Sequence, residues 1–269
     1  MRAMATLCLS GELMPKLEAI ARAGFGGVEI FLDDLMADSH SPRRIGEHCR
    51  DLGLDVVALQ PFRDAESQRR DAHRKMLGEA ERHFDRLAEL GGTRLLACST
   101  TLASADPSPA AAADTLHDLA ELATTRQMSV AYEALAWGRY IDDYRTAWEV
   151  VERVDHPALT LVLDSFHVLA MGLELETLSG IPAHKIGLVQ LADAPDPKGE
   201  DLQNLSRHRR AFPGDGALDV PGFLTALAVT GYAGPISLEI FSDILSVMPT
   251  GMSALEGKEK LDRVLGEQG

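Results

Sequence analysis

Short runs of apolar and β-branched residues alternate along the chain with longer stretches that are apolar on one side only. The runs predict strands near 4–9 (MATLCL), 27–31 (GVEIF), 54–60 (LDVVALQ), 93–98 (TRLLAC), 129–133 (SVAYE), 159–164 (LTLVLD), 185–190 (KIGLVQ) and 235–240 (PISLEI). The amphipathic stretches predict helices near 12–23, 41–52, 67–90, 110–127, 143–154, 174–179, 221–229 and 252–265. Local punctuation agrees. "SPRR" offers Ser41 as an N-cap and Pro42 at the first helical position. Glycines in "LGL" and "LGG" close the second and third helices, and "AGFGG" separates the first helix from the second strand.

Eight strands alternating with eight helices require parallel pairing, because parallel neighbours need crossover connections. The count predicts an α/β fold, a single (β/α)8 TIM barrel over residues 1–269. An open doubly wound sheet is the other topology with this pattern, but no GxGxxG opens the first helix and no GxxxxGK[ST] occurs. The longest predicted loop, about 191–220, is rich in Pro, Asp and Arg. Loops of that length usually carry function.

Composition narrows the class. The 269 residues are 45% hydrophobic and 25% charged, with a formal net charge of −15. Such an acidic chain opposes binding to nucleic acid and to anionic lipid. A small anionic substrate would need a local basic pocket. Three widely spaced cysteines, Cys8, Cys49 and Cys98, form no CxxC, so neither a disulfide framework nor a thiol-rich zinc site is expected. Free thiols, no basic-then-apolar leader and no apolar run long enough to span a bilayer together predict a cytoplasmic protein. Exterior barrel helices leave a homo-oligomer open.

Barrel chemistry gathers where strands end. Strand five ends in Glu133, strand six in Asp164, strand seven in Gln190 and strand eight in Glu239. Three carboxylates on one rim repel one another and call for a cation. Oxygen donors favour a hard divalent ion, Mg2+ or Mn2+ first and Co2+ next. The alternative is that each residue caps a helix or pairs with a nearby Arg. His167, one helical turn past Asp164, is either a capping histidine or a group for acid/base work or substrate contact. "SRHRRAFPGDG" holds the basic run Arg207, His208, Arg209 and Arg210. One or two of these guanidiniums suit a bidentate grip on a carboxylate. Arg63 follows strand three, and Trp137 and Arg139 follow strand five as candidate pocket walls. Glu29, on the second strand, reads as structural, since its strand end lies further round the barrel.

The order Glu133, Asp164 with His167, Gln190 and Glu239 resembles the xylose-isomerase-like barrel superfamily. Longer stretches are similar to the bacterial 3-dehydroshikimate dehydratases of quinate and shikimate catabolism: "LSGELMPKLEAIARAGFGGVEIF", "LQPFRD", "YEALAWGR", "DHPALTLVLDSFH", "VQLADAP", "SRHRRAFPGDGALDVPGF" and "GYAGPISLEIF". The resemblance covers about 5 to 245. It implies a divalent metal held by Glu133, Asp164, Gln190 and Glu239, and conversion of 3-dehydroshikimate to protocatechuate and water. For that substrate, Arg63 or the 207–210 cluster, Arg207 and Arg210 in particular, is expected to orient the carboxylate. His167 is then the first candidate for proton transfer and His208 the second.

Two departures stand out. Some relatives carry a further dioxygenase-like domain, which is not expected here. Others carry a histidine just after the strand-five glutamate, where this chain has Ala134-Leu135-Ala136. A sugar or sugar-acid isomerase or epimerase on the same scaffold is the nearest rival, though those enzymes commonly place a histidine at the position of Gln190. A DNA-repair endonuclease would need a histidine-rich zinc cluster and a basic face. A non-enzymatic barrel would bind no divalent ion.

Overall fold

Each predicted β run pairs with its neighbours in sequence, and the last closes on the first. The computed structural model describes residues 1–66 and 69–266. Its strands are β1 (Arg2–Ala5), β2 (Gly27–Phe31), β3 (Asp55–Phe62), β4 (Arg94–Cys98), β5 (Ser129–Glu133), β6 (Leu159–Asp164), β7 (Ile186–Leu191) and β8 (Ile236–Leu238). They form one closed barrel in the order β1 to β8, with β8 parallel to β1.

The surrounding helices are α1 (Leu13–Arg22), α2 (Leu32–Ala37), α3 (Pro42–Asp51), α4 (Arg70–Leu90), α5 (Pro109–Thr124), α6 (Tyr144–Val154), α7 (Ser165–Leu169), α8 (Leu202–His208), α9 (Val220–Val229) and α10 (Thr250–Leu265). Ser41 caps α3 by accepting from the Arg44 N–H, with Pro42 following it. Gly53 and Gly91 take left-handed backbone after α3 and α4. Among the described residues no helix is long and apolar enough to cross a membrane.

Three segments among the described residues differ from the sequence pattern. The first run, predicted at 4–9, is strand only to Ala5 and then turns through the short helical segment Thr6–Cys8. Cys8 and Leu9 stay buried in that turn, so hydrophobicity alone could not see the strand end. The segment predicted as helix 174–179 is a single tight turn, Glu176–Gly180, and α7 directly after β6 is the ordered helix there. The predicted loop 191–220 contains α8. The start of the third predicted helix, which is α4, falls at 67 and 68, outside the described residues.

The interior has two layers. A large apolar shell joins strands to helices, and a smaller cluster fills the barrel with Ala58, Leu96, Cys98, Ala131, Leu135, Val162 and Leu188. Strand side chains alternate between faces. Two residues beyond the inward Ala58, Ala131, Val162 and Leu188 therefore come Gln60, Glu133, Asp164 and Gln190, all on the inner face at the C-terminal rim. Period two thus turns an apolar plug into a polar site within a single step along each strand.

Candidate active site

The rim carboxylates meet around one guanidinium. Arg210 Nη1 donates to Asp164 Oδ2 at 2.8 Å, to Glu239 Oε2 at 3.0 Å and to the Glu239 carbonyl at 3.1 Å. Its Nε and Nη2 donate to Ser206 Oγ at 3.1 and 2.8 Å. The Arg210 side chain is 1% exposed and lies over the Phe166 ring. Four of its five N–H groups are thus directed at Ser206, Asp164 and Glu239, which leaves no fork for a substrate carboxylate. The sequence reading made Arg210 a substrate clamp; its geometry is that of an internal counter-ion. Asp164 also does what a cap would do, since Oδ1 accepts from the Phe166 N–H at the start of α7. The two readings of Asp164 hold together, one oxygen each.

One guanidinium does not satisfy this group. Among the described residues Glu133 receives only the Cys98 thiol, at 3.3 Å on Oε2, and its Oε1 has no hydrogen-bond partner. Gln190 Oε1 and Glu29 Oε1 are likewise buried without a donor. Burial, then Glu239 and Asp164, push Glu133 well above the usual carboxylate range, against the pull of Arg210. Burial raises Glu239 as well, and Arg210 opposes it. Burial alone would lower Arg210, but Asp164, Glu239 and Glu133 hold it above its ordinary value. Acceptor oxygens without donors, in a pocket short of positive charge, fit a bound cation. Glu133, Asp164 and His167 bring one donor atom each within 4.8 Å of one another, a grouping that can hold a metal ion.

His167 fits that grouping by distance but not by hydrogen bonding. The Ala136 N–H donates to His167 Nδ1 at 3.1 Å. Both ring nitrogens face donors, since Arg210 Nη2 lies against Nε2; the shorter contact at Nδ1 favours the neutral ring with its proton on Nε2. Nε2 lies 3.6 Å from Asp164 Oδ2 and 3.9 Å from Glu133 Oε1. Arg210 Nη2, at 3.4 Å from the same nitrogen, is the longer and weaker of the two contacts to the ring. A metal-bound histidine donates its other N–H to an acceptor; here the other nitrogen faces a donor. Burial lowers His167 to about 4, with Asp164 opposing and Arg210 adding to the fall. The ring is neutral.

A cavity opens above these groups, bordered by Gln60, Glu133, His167, Arg210 and Glu239 below and by Arg63, Trp137, Arg207 and Phe241 at its mouth. Arg63 and Arg207 also border an adjoining cleft with Ser99, Thr101 and Gln203. Both arginines are exposed, and Arg207 stacks on Trp137 with 6.0 Å to the ring centroid. Asp164 and Gln190 are buried and do not border the cavity. His208 is exposed, turned to Asp243 at 3.0 Å, and Arg209 turns to Glu200; neither borders the cavity. Arg139 is exposed outside it.

Asp193 carries no signal in the hydrophobic pattern, yet it shapes the site. Its buried carboxylate accepts from the N–H groups of Ala194, Gly214, Gly216 and Leu218 at 2.8 to 3.0 Å. Its backbone exchanges two hydrogen bonds with Ala211, while the Arg210 N–H reaches the Phe241 carbonyl. The segment carrying Arg210 is thereby clamped between the extensions of β7 and β8. A Cβ on Gly216 would strike the Asp193 carboxylate and the Ala194 carbonyl, so that position requires glycine. The clue was "PGDG" following "LADAP": a glycine-rich turn facing an acid.

These features sit in a known frame. The family model for the xylose isomerase-like TIM barrel matches residues 17–263, and the chain belongs to that family. A curated 3-dehydroshikimate dehydratase from Pseudomonas putida is 46% identical over 260 residues, covering 97% of this chain and 41% of the relative. A solved xylose isomerase-like TIM barrel/4-hydroxyphenylpyruvate dioxygenase fusion protein superposes with a TM-score of 0.95 at 46% identity, covering 98% of this chain and 42% of that one. The chain therefore spans about two fifths of the length of these relatives. A crystal structure of an IOLI protein with a zinc atom, at 22% identity and a TM-score of 0.89 over 98% of this chain and 97% of that one, shares the fold.

Proposed function

We propose that this barrel is a metal-dependent dehydratase that converts 3-dehydroshikimate to protocatechuate and water. The observation that carries it is the 46% identity to a curated 3-dehydroshikimate dehydratase across 97% of the chain, a span that includes the whole rim site. The geometry supports the same reading: Glu133 and Glu239, backed by the buried Asp164 and Gln190, lie beneath a mouth that carries two guanidiniums.

The reaction removes a ring proton acidified by the ketone and expels the hydroxyl β to it, the proton and the hydroxide leaving together as one water. Arg63 and Arg207, on the cavity wall, hold the substrate carboxylate and so orient the ring. Their charge offsets the acidity of the chain where a small anion must approach. His167 directs its Nε2 proton at a substrate oxygen, as a neutral imidazole that donates without first being charged. Arg210 keeps Asp164 and Glu239 fixed. Glu133, Asp164, Gln190 and Glu239 would hold a divalent ion, which when bound supplies the positive charge that stabilises a developing enolate. An oxygen-only donor set favours Mg2+ or Mn2+, then Co2+. The three buried thiols suit a reducing compartment, the cytoplasm.

The test is direct. Purified protein is incubated with 3-dehydroshikimate and Mn2+, Mg2+ or Co2+, and the absorbance of protocatechuate is followed. Product that depends on added metal is expected. A folded protein that makes none with any of the three ions overturns the reading.

A further inference from the structure

Glu29 lies in the barrel interior, level with Ala58 on the neighbouring strand, and is fully buried. Its Oε2 accepts two side-chain amides at once: Gln190 Nε2 at 2.9 Å and Gln60 Nε2 at 3.3 Å. Gln60 Nε2 also donates to Glu239 Oε1 at 2.9 Å. A glutamine amide has a donor end and an acceptor end of nearly the same shape, so its direction is set by what it faces. A carboxylate oxygen at Nε2 selects one direction and penalises the reverse, in which two oxygens would meet. Gln190 Oε1 is consequently turned away from Glu29 and has no protein donor.

We propose that Glu29 is a positioning residue of the metal site: by gripping the NH2 ends of Gln190 and Gln60 it presents the Gln190 carbonyl oxygen as a ligand and braces Glu239 through Gln60. The inference rests on Gln190 serving as an oxygen ligand. Its physical content is that an amide can ligate a hard cation only through oxygen. A flipped Gln190 would offer N–H groups where the ion needs a lone pair. In many metal sites a carboxylate behind the ligand orients a histidine; here it orients an amide. Gln190 sits beside Asp164 in the β6–β7 register, so the direction of this amide decides what the acid has for a neighbour.

The experiment measures Mn2+ binding by calorimetry and by the loss of the free-ion electron paramagnetic resonance signal, for wild type, Glu29→Gln, Gln190→Ala and the double variant. Glu29→Gln keeps the size of the side chain but brings an amide of its own, so Gln190 is no longer held one way. The expected result is Mn2+ affinity weakened about 10- to 100-fold, with a melting temperature no lower than wild type. In the Gln190→Ala background the same change should have a smaller effect, because one of the two amides is gone. Wild-type affinity in folded Glu29→Gln, or strictly additive effects, overturns the proposal and leaves the metal reading standing. A wild-type chain that binds no Mn2+, Mg2+ or Co2+ overturns both. A second readout needs no change at Glu29: in metal-free wild type, a side-chain amide proton of Gln190, assigned by its loss in folded Gln190→Ala, should resonate downfield and exchange slowly. A freely exchanging amide overturns the proposal.

Discussion

Arg210 and Asp164 form an ion pair, 2.8 Å from Nη1 to Oδ2, in which both side chains are almost wholly buried. The same guanidinium reaches Glu239. The protein thus carries one fixed positive charge at the place where the carboxylates converge, supplied by the loop after β7.

That pair makes removal of the arginine costly. Arg210→Met leaves Asp164 and Glu239 buried without their partner, which costs about 3–5 kcal/mol. The loss should appear as a lower midpoint in urea unfolding of the metal-free protein. Saturating Mn2+ should recover part of it, because a cation that binds only the folded state stabilises it. Equal losses with and without Mn2+ would separate the ion from these carboxylates.

The proton on His167 Nε2 predicts a particular split. His167→Leu should slow protocatechuate formation about 10²- to 10³-fold, as loss of one directed donor does. Mn2+ affinity should stay near that of wild type, because the Ala136 N–H bars the ring from ligation. Loss of Mn2+ binding along with activity would make His167 a ligand after all.

Arg63 and Arg207 are assigned to the carboxylate of the substrate. Each replaced by Ala should raise KM about tenfold or more, the worth of a charge-assisted hydrogen bond. The effect on kcat should be smaller, since ground state and transition state share this contact. Steady-state kinetics at saturating Mn2+ measure both constants. Unchanged KM in both variants would move the clamp elsewhere.

Glu66 gives a pH signature away from the rim. It is fully buried and accepts the Thr100 N–H with both oxygens. Burial raises its pKa from 4.5 to about 7, against the pull of that N–H. Between those two values the folded protein binds a proton that the unfolded chain has released. Unfolding free energy therefore falls as pH rises through this window, by up to about 1.4 kcal/mol per pH unit, and levels off above it. Glu66→Gln should flatten the curve there. Chemical unfolding of both proteins from pH 4 to 8 checks it, and parallel curves would count against the assignment.

The sequence by itself determined the barrel and most of the polar groups on its rim. Alternation of β runs and amphipathic helices forces parallel strands. Period two then carries Glu133, Asp164 and Gln190 to one rim whatever the details of packing, and Glu239 follows one residue past β8. Those are consequences of local geometry, which a linear pattern encodes. Contacts between distant segments are not encoded that way. Arg210 was legible as a basic residue in a long loop, but only the clamp of Asp193 on Gly214, Gly216 and Leu218 turns it inward, to serve the carboxylates. His208, its near neighbour in that loop, faces solvent instead. Glu29 looked structural because its strand lies apart from β7. A side chain crosses a barrel interior directly, so residues 161 positions apart share a hydrogen bond. What the His167 ring faces is decided by a backbone N–H from another loop and by the Arg210 guanidinium. Where each donor points, and which oxygen is left without one, is decided by the tertiary structure, because a hydrogen bond depends on the partner's direction as well as its presence.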